Sequence, residues 1–372
     1  MDYGSDHNTT HDTTIQRTMK VVSPRLYLGT MTFGWSQTSS IVDENVALEM
    51  TKKFIDFERK SNSAKFHIDT ARIYSGGKTE PIVGGVLKSL DSSDVDSILL
   101  CTKAHPSQPN GLSPKGIMGQ IEESFAAMNI NNVGEYYLHQ PDTANSLLDS
   151  LKCIDGLIAK GTIKSLGMSN YHVSEVKRAF ELCDEHGLAK PTVYQGLYNP
   201  LNRAIEKELL PLLRENGCSF VAYNPLAAGL LTGKHTSQTN VMNGRFKDNP
   251  NYLPRFYTSE NFEAIKSIQK ACDEENISLI EATFRWLLQY SALGGNDGIL
   301  LGASSISQLE QNLEACSLTP DEKILSPSVL KAFDEAWKRT ESGAFPYWRS
   351  YSADMPGREA LDQGASYSAS KK

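Results

Sequence analysis

Ser97-Ile-Leu-Leu-Cys-Thr-Lys103 and Val133-Gly-Glu-Tyr-Tyr-Leu-His139 are two short apolar and β-branched runs, separated by a stretch, residues 114–128, whose apolar positions recur at helical spacing. A strand, a helix and a strand in that order predict a parallel pair, because parallel strands need a crossover. Both runs also end on an ionisable residue. Taking a charge out of water is costly unless it is paired, so Lys103 and His139 need a reason to be there.

The same rhythm extends outward in both directions. Strand-like runs fall at 26–32, 66–69, 98–102, 134–138, 163–168, 192–196, 219–223 and 298–302, and helical runs at 44–58, 114–128, 147–159, 173–185 and 205–215. Lys160-Gly161, His186-Gly187 and Asn216-Gly217 place glycine where a helix stop wants a left-handed residue. Eight such units predict an α/β fold of the closed (β/α)8 TIM-barrel type. The interval from Tyr223 to the eighth strand is far longer than the rest, and Asn224 to Tyr257, rich in Gly and Pro, reads as a long loop over the barrel mouth. A further helix is expected over 328–339. The expected organisation is a disordered N-terminal tail over 1–19, one barrel domain over 20–352 and a flexible C-terminal tail over 353–372.

Composition narrows the function. A net charge of -7 offers no basic stripe for nucleic acid and no polybasic anchor for an anionic membrane. No apolar run approaches the roughly 20 residues that span a bilayer, and the N-terminus lacks a signal-peptide pattern. The six cysteines are dispersed, with no C-x-x-C, and read as reduced thiols. A cytoplasmic location follows from these features. Gly229-Leu-Leu-Thr-Gly-Lys234 falls one residue short of a P-loop, no G-x-G-x-x-G opens a helix after the first strand, and His67 with Asp69 lacks the further ligands of a metal centre.

In a barrel the C-terminal ends of the strands converge, so Asp69, Lys103 and His139 become neighbours, with Tyr74 on the loop above the second strand. An ion pair between Asp69 and Lys103 with no chemistry attached is the plain alternative. With chemistry, a nearby ammonium lowers the phenol of Tyr74 and makes it a usable general acid. His139 then serves as a hydrogen-bond donor to a carbonyl oxygen.

Asp69-Thr-Ala-Arg-Ile-Tyr74, Thr102-Lys103-Ala104, Leu138-His139, Gly167-Met-Ser-Asn170 and Tyr223-Asn-Pro-Leu226, in that order, resemble the aldo-keto reductases from about Leu26 to Arg349. Thr192-Val-Tyr-Gln-Gly-Leu-Tyr-Asn199 and Gln308-Leu-Glu-Gln-Asn312 look most like the aflatoxin aldehyde and succinic semialdehyde reductase branch. The resemblance implies NADPH-dependent reduction of small, aromatic or dicarbonyl aldehydes by Asp69, Tyr74, Lys103 and His139. It implies a nicotinamide site at Ser169, Asn170, Gln195, Tyr223 and Asn224, and a strap over the pyrophosphate from Leu226 through Gly229, Gly233 and Lys234 to Arg245. A turn at Gly302, Ser304 and Ser305, entering a helix with Gln308 and Asn312, is similar to the family's site for the adenosine 2'-phosphate. Gly302 and Gln308 stand where many relatives carry Lys and Arg.

Phe33 and Trp35 are expected to wall the substrate pocket, and Arg349 matches a position where the branch meets a substrate carboxylate. Tyr252 and Arg255 are alternatives, with surface solvation the plain reading of Arg255. The resemblance suggests a homodimer. The rival class is a cofactor-sensing interaction protein like the potassium-channel β-subunits, which resemble the same family; a barrel hydrolase is a second rival.

Overall fold

The computed structural model describes residues 23–38, 40–235, 246, 249, 252–317 and 324–365. Eight strands close into one parallel barrel in sequence order: β1 Arg25–Gly29, β2 Phe66–Asp69, β3 Ile98–Ala104, β4 Val133–Leu138, β5 Ile163–Ser169, β6 Val193–Leu197, β7 Ser219–Tyr223 and β8 Gly298–Gly302. The helices pack outside, apart from the short α8 on the long loop at the cleft: α1 Glu44–Lys60, α2 Thr79–Ser89, α3 Ser92–Ser97, α4 Pro114–Met128, α5 Leu147–Ala159, α6 Val173–His186, α7 Leu209–Glu215, α8 Leu253–Phe256, α9 Ser259–Glu274, α10 Leu279–Arg285, α11 Ile306–Cys316 and α12 Pro327–Thr340.

Local chemistry sets these boundaries. Ser113 and Ser146 cap α4 and α5 by accepting from the amides of Gly116 and Asp149, and Gly187 closes α6 in the left-handed region at φ 65°. The single helix expected over 205–215 is instead a turn at Ala204–Glu206 followed by α7. Pro211 accounts for the break: it has no N–H to bond back to Lys207, so a helix tolerates it only in its first turn.

Alternation along the strands sorts the core into two layers. Leu26, Leu28, Tyr136, Leu138, Ile299 and Leu301 face the helices as part of the main apolar cluster. Tyr27, Cys101, Tyr137, Val193, Val221 and Leu300 form a second cluster inside the barrel. The inward positions one step nearer the strand C-termini carry Asp69, Lys103, Ser169 and Gln195, so the barrel passes from packed core to polar floor within two residues of each strand.

The segment read from sequence as a flexible tail is described as far as Ala365, and that far it is bonded to the barrel. Ala353 donates its N–H to the Asp142 carbonyl at 3.0 Å. The Asp354 carboxylate accepts from Leu147 N–H, Ser146 Oγ and Arg178 Nη2 at 2.8–2.9 Å.

Candidate active site

Lys103 closes β3 with no exposed surface, and its Nζ donates to both carboxylate oxygens of Asp69, 2.7 Å each, and to the Thr70 carbonyl at 2.8 Å. β2 and β3 are neighbours with Asp69 opposite Cys101, so the register sets Lys103 diagonally beside Asp69. Three acceptors around one ammonium answer the desolvation of a buried charge. Burial alone would lower the Lys103 pKa, but Asp69 and Tyr74 outweigh it and raise it.

Tyr74 begins the turn Tyr74–Gly77, in which Ser75, Gly76 and Gly77 all take positive φ. That turn is pinned from two sides. Ser75 Oγ and Thr79 Oγ1 donate to the Phe33 carbonyl at 3.1 and 2.9 Å. Arg72 pairs with Glu123 and with the fully buried Glu80, whose carboxylate also accepts from Thr102 and Ser124. The ring so held lies 5.1 Å from Lys103 Nζ and edge-on to the His139 ring, with centroids 5.8 Å apart.

The lowered phenol expected from the nearby ammonium is not what the structure shows. Desolvation dominates and pushes Tyr74 up to about 12, while Lys103 pulls downward by charge and hydrogen bond. The phenol therefore holds its proton throughout the neutral range, which suits a donor. His139 is held well below the usual imidazole value by burial, then by His105, Lys103 and Arg349, so its ring is neutral. Its Nδ1 is buried with no hydrogen-bond partner, an orphan at the wall of the cleft.

Above this floor opens a cleft of about 490 Å³. Asp69, Tyr74, His139, Ser169, Asn170, Gln195, Tyr223, Asn224, Leu226, Gly229, Lys234, Gly302, Ser304, Gln308, Asn312, Trp35 and Arg349 all line it, as do Tyr252 and Arg255. Of the other expected residues, Lys103 lies beneath the floor, and Gly233 and Ser305 are not part of the lining: Gly233 closes the 227–232 turn at φ 75° and Ser305 caps α11. Phe33 does not wall the cleft. It is 1% exposed and packs in the main core, because the chain turns back after β1 through a Phe33 N–H to Thr30 carbonyl bond. Arg245 falls outside the described residues. Arg255 is not solvated at the surface: it is buried against Phe345, its guanidinium 4.7 Å from the ring centroid.

The polar floor fits a nicotinamide dinucleotide. Tyr223 donates its hydroxyl to Asn170 Oδ1 at 2.8 Å, and Asn170 Nδ2 donates to Ser169 Oγ and the His139 carbonyl at 2.9 Å each. These bonds fix one aromatic face and leave the Ser169 hydroxyl hydrogen available to a ligand. Gln195 spends its N–H on Asp69 at 2.9 Å, which leaves its carbonyl oxygen to the cleft. Beyond them, Ala227, Ala228 and Gly229 take φ of 48°, 58° and 107° in succession. Two alanines are held there at some conformational cost, and the turn is closed on itself: the Ala227 and Gly229 N–H groups donate to the Asn224 and Leu226 carbonyls at 2.9 and 2.8 Å. At the N-terminus of α11, Gln308 Oε1 accepts from both the N–H and the hydroxyl of Ser304, 2.9 Å each, so an anion here competes with Gln308 for those donors.

Three contributors escape a sequence reading. His105 packs edge-on against His139 at 5.1 Å, and burial with Arg349 holds it at about 4. Gln140 Oε1 accepts from Arg349 Nη1 at 2.7 Å and so places the guanidinium. The Ala227-Ala228 backbone is the third. Only His105 carried a signal, as an imidazole two residues beyond Lys103. Among the described residues no group of His, Cys, Asp and Glu side chains is arranged to hold a metal ion.

Residues 25–337 match the profile of the aldo/keto reductase family. The chain is 37% identical to the aflatoxin B1 aldehyde reductase member 2 of Rattus norvegicus, over 84% of each protein. It is 36% identical to the aldo-keto reductase family 7 member A3 of Homo sapiens, over 87% of this chain and 96% of that protein. Against the oxidoreductase sirO of Leptosphaeria maculans the identity is 32%, over 78% of this chain and 88% of the relative. With a closed eight-stranded barrel, a buried Lys-Asp pair under a phenol and an imidazole, and a family match over most of its length, the chain belongs to the aldo/keto reductase family and is an oxidoreductase.

Proposed function

We propose that the protein reduces small, aromatic or dicarbonyl aldehydes to alcohols with NADPH, Tyr74 supplying the proton. The observation that carries this reading is the grouping of Tyr74 and His139 above a fully buried Lys103–Asp69 pair. A bound nicotinamide supplies the hydride chemistry. Ser169, Asn170, Gln195 and Tyr223 would hold its ring, the strap from Leu226 to Lys234 its pyrophosphate, and the Ser304 to Gln308 turn its 2'-phosphate.

The remaining work falls to the chain. His139, neutral and facing the cleft, donates a hydrogen bond that orients a carbonyl and favours charge on its oxygen. Tyr74 delivers its proton to that oxygen, and the charge left on the phenol is met by Lys103. Asp69 keeps Lys103 charged and in place. Trp35, Tyr252 and Phe246 enclose the cleft on the long-loop side, with Phe256 and Tyr257 packed behind Phe246. All six cysteines are thiols rather than disulfides and five of them are buried, which supports a reducing compartment such as the cytoplasm.

NADPH binding and turnover of 4-nitrobenzaldehyde, measured on the wild type and on Tyr74→Phe, test the reading. Both proteins are expected to bind NADPH and only the wild type to consume the aldehyde. Binding without turnover of any aldehyde by the wild type sinks it and favours a sensing role.

A further inference from the structure

Below Lys103 the barrel holds a second buried acid that the proposed chemistry does not use. Glu135 sits in mid-strand on β4, opposite Cys101, with its side chain inside the barrel and only 8% exposed. Three hydrogens converge on it. Tyr137 Oη donates at 2.5 Å, and Tyr27 Oη and Cys101 Sγ each donate at 3.2 Å. Every contact offers a hydrogen to a carboxylate oxygen, and among the described residues no ammonium or guanidinium pairs with it. The surrounding Val193, Val221 and Leu300 are apolar, so nothing in the packing calls for an acid.

The barrel makes room for this cluster. A side chain at Gly167 would run into the Tyr137 ring and one at Gly298 into the Tyr27 ring, so two strands give up their inward residue to admit the two phenols. Tyr137 then joins the two layers: its hydroxyl is on Glu135 and its ring faces the Lys103 ammonium, 5.5 Å from centroid to Nζ. Lys103 is the residue opposite Tyr137 in the register, two positions beyond Cys101, which sets Glu135 about 7 Å further down the barrel.

We propose that Glu135 is a positioning residue of the proton-handling group: it holds the Tyr137 ring against Lys103 and sets a second negative charge behind Asp69, so that two carboxylates govern the acidity of Tyr74. This rests on Tyr74 being the proton donor. The titratable groups facing Glu135 are Tyr27 on β1, His67 and Asp69 on β2, Cys101 and Lys103 on β3 and Tyr137 on β4. Cys218, just ahead of β7, also senses its charge, and the Arg214–Asp297 pair lies beyond. The inward residues of β6 and β8 are not ionisable. Burial outweighs its three donors and raises the Glu135 carboxyl above its ordinary value, and burial first, then the Glu135 charge, raise Tyr27, Tyr137 and Cys101. An anion here favours the Lys103 ammonium and opposes a phenolate at Tyr74. Glu135 lies about 7 Å below Lys103, and the Tyr74 ring is 5.1 Å from Nζ, so the charge acts on the phenol across about 12 Å, and at an effective dielectric near 20 the effect is about one pH unit.

The test is Glu135→Gln, which keeps the shape and an acceptor but removes the charge. The Tyr74 titration is followed by 13Cζ-tyrosine NMR, with the resonance assigned through Tyr74→Phe, in the free protein and in its NADP+ complex. The alkaline limb of kcat/KM is followed in parallel. Both are expected to move down by about one unit, tenfold in acidity, with KM and melting temperature near wild type. Glu135→Leu, an apolar residue among Val193, Val221 and Leu300, carries the same expectation should the Gln variant not fold. A Tyr74 titration that stays put in a folded variant, or a kcat lowered equally at all pH, overturns the proposal. Absence of aldehyde turnover in the wild type is a separate failure, of the proposed function, and leaves the NMR titration readable.

Discussion

Gln195 donates its side-chain N–H to Asp69 Oδ1 at 2.9 Å, so the floor on which a nicotinamide would rest is hydrogen-bonded to the carboxylate that holds Lys103. The two residues come from strands on different sides of the barrel and meet across its interior. The residues proposed for ligand contact and those proposed for proton handling thereby share one buried network, so a change at one is expected to be felt at the other.

The first consequence concerns Gln195 itself. Gln195→Leu removes a donor from a carboxylate that is 1% exposed, and a buried acceptor that loses its partner costs about 1–3 kcal/mol. Urea unfolding should show that loss, nicotinamide binding should weaken, and kcat should fall roughly tenfold because Asp69 and Lys103 are less firmly placed. A variant that weakens nucleotide binding but leaves kcat and stability at wild-type values would show that the two halves of the site are independent.

The Lys103–Asp69 pair makes a sharper prediction. Lys103→Met leaves a carboxylate buried with its ammonium gone, and breaking such a pair from one side costs about 3–5 kcal/mol. Lys103→Met combined with Asp69→Leu removes both charges and should recover most of that stability while restoring no activity. Denaturant midpoints of the two singles and the double form a cycle. Additive losses would mean that the pair is not coupled.

How far the sequence carried follows from where the physics is local. The helices α4 and α5 are legible to the residue, because serine caps, an apolar stripe and a stop signal all lie within each segment. The convergence of Asp69, Lys103, His139, Asn170, Gln195 and Tyr223 is legible for a different reason: once the strands are read as parallel and closed, their ends have only one place to go. What is not legible depends on the path of the chain between elements. Phe33 enters the core through a turn that no periodicity marks, the left-handed run at Ala227 and Ala228 leaves no compositional trace, and the docking of Asp354 on Ser146 and Arg178 joins distant segments. The Tyr74 phenol went the other way from the expectation because proximity to Lys103 can be inferred from sequence, but the desolvation that outweighs it cannot.

Cofactor choice should respond to the turn before α11. Gly302 is exposed, its φ is not positive, and a Cβ built there meets nothing within 4 Å, so a lysine is accepted without strain. Gly302→Lys sets an ammonium beside the Ser304 and Ser305 donors. The ratio of NADH to NADPH dissociation constants should rise about tenfold, since a charge-assisted bond to phosphate contributes about 1.5–3 kcal/mol and exposure removes part of it. Gln308→Ala should raise the same ratio by freeing the Ser304 N–H and hydroxyl that Gln308 occupies. Titration of cofactor fluorescence reads both, and an unchanged ratio in Gly302→Lys would place the 2'-phosphate elsewhere.

The C-terminal segment carries its own pH dependence. Glu175 is fully buried on α6, where Oε1 accepts from the Ser352 N–H at 2.8 Å and Oε2 has no partner. Burial pushes its carboxyl up to about 7, against hydrogen bonds from Ser352 and the charge of Arg178. The ordinary value is 4.5, so between 4.5 and about 7 the folded chain binds a proton that the unfolded chain has lost. Stability tied to this group is therefore complete below 4.5 and declines as pH rises through about 7. The loss amounts to about 3 kcal/mol in the alkaline range if all of the shift is expressed. Glu175→Gln keeps the acceptor for Ser352 and removes the ionisation, so the variant should gain on the wild type as pH increases across that window. Melting temperatures measured at pH values on both sides of it read the difference directly, and parallel curves for the two proteins would show that Glu175 titrates as an ordinary carboxyl.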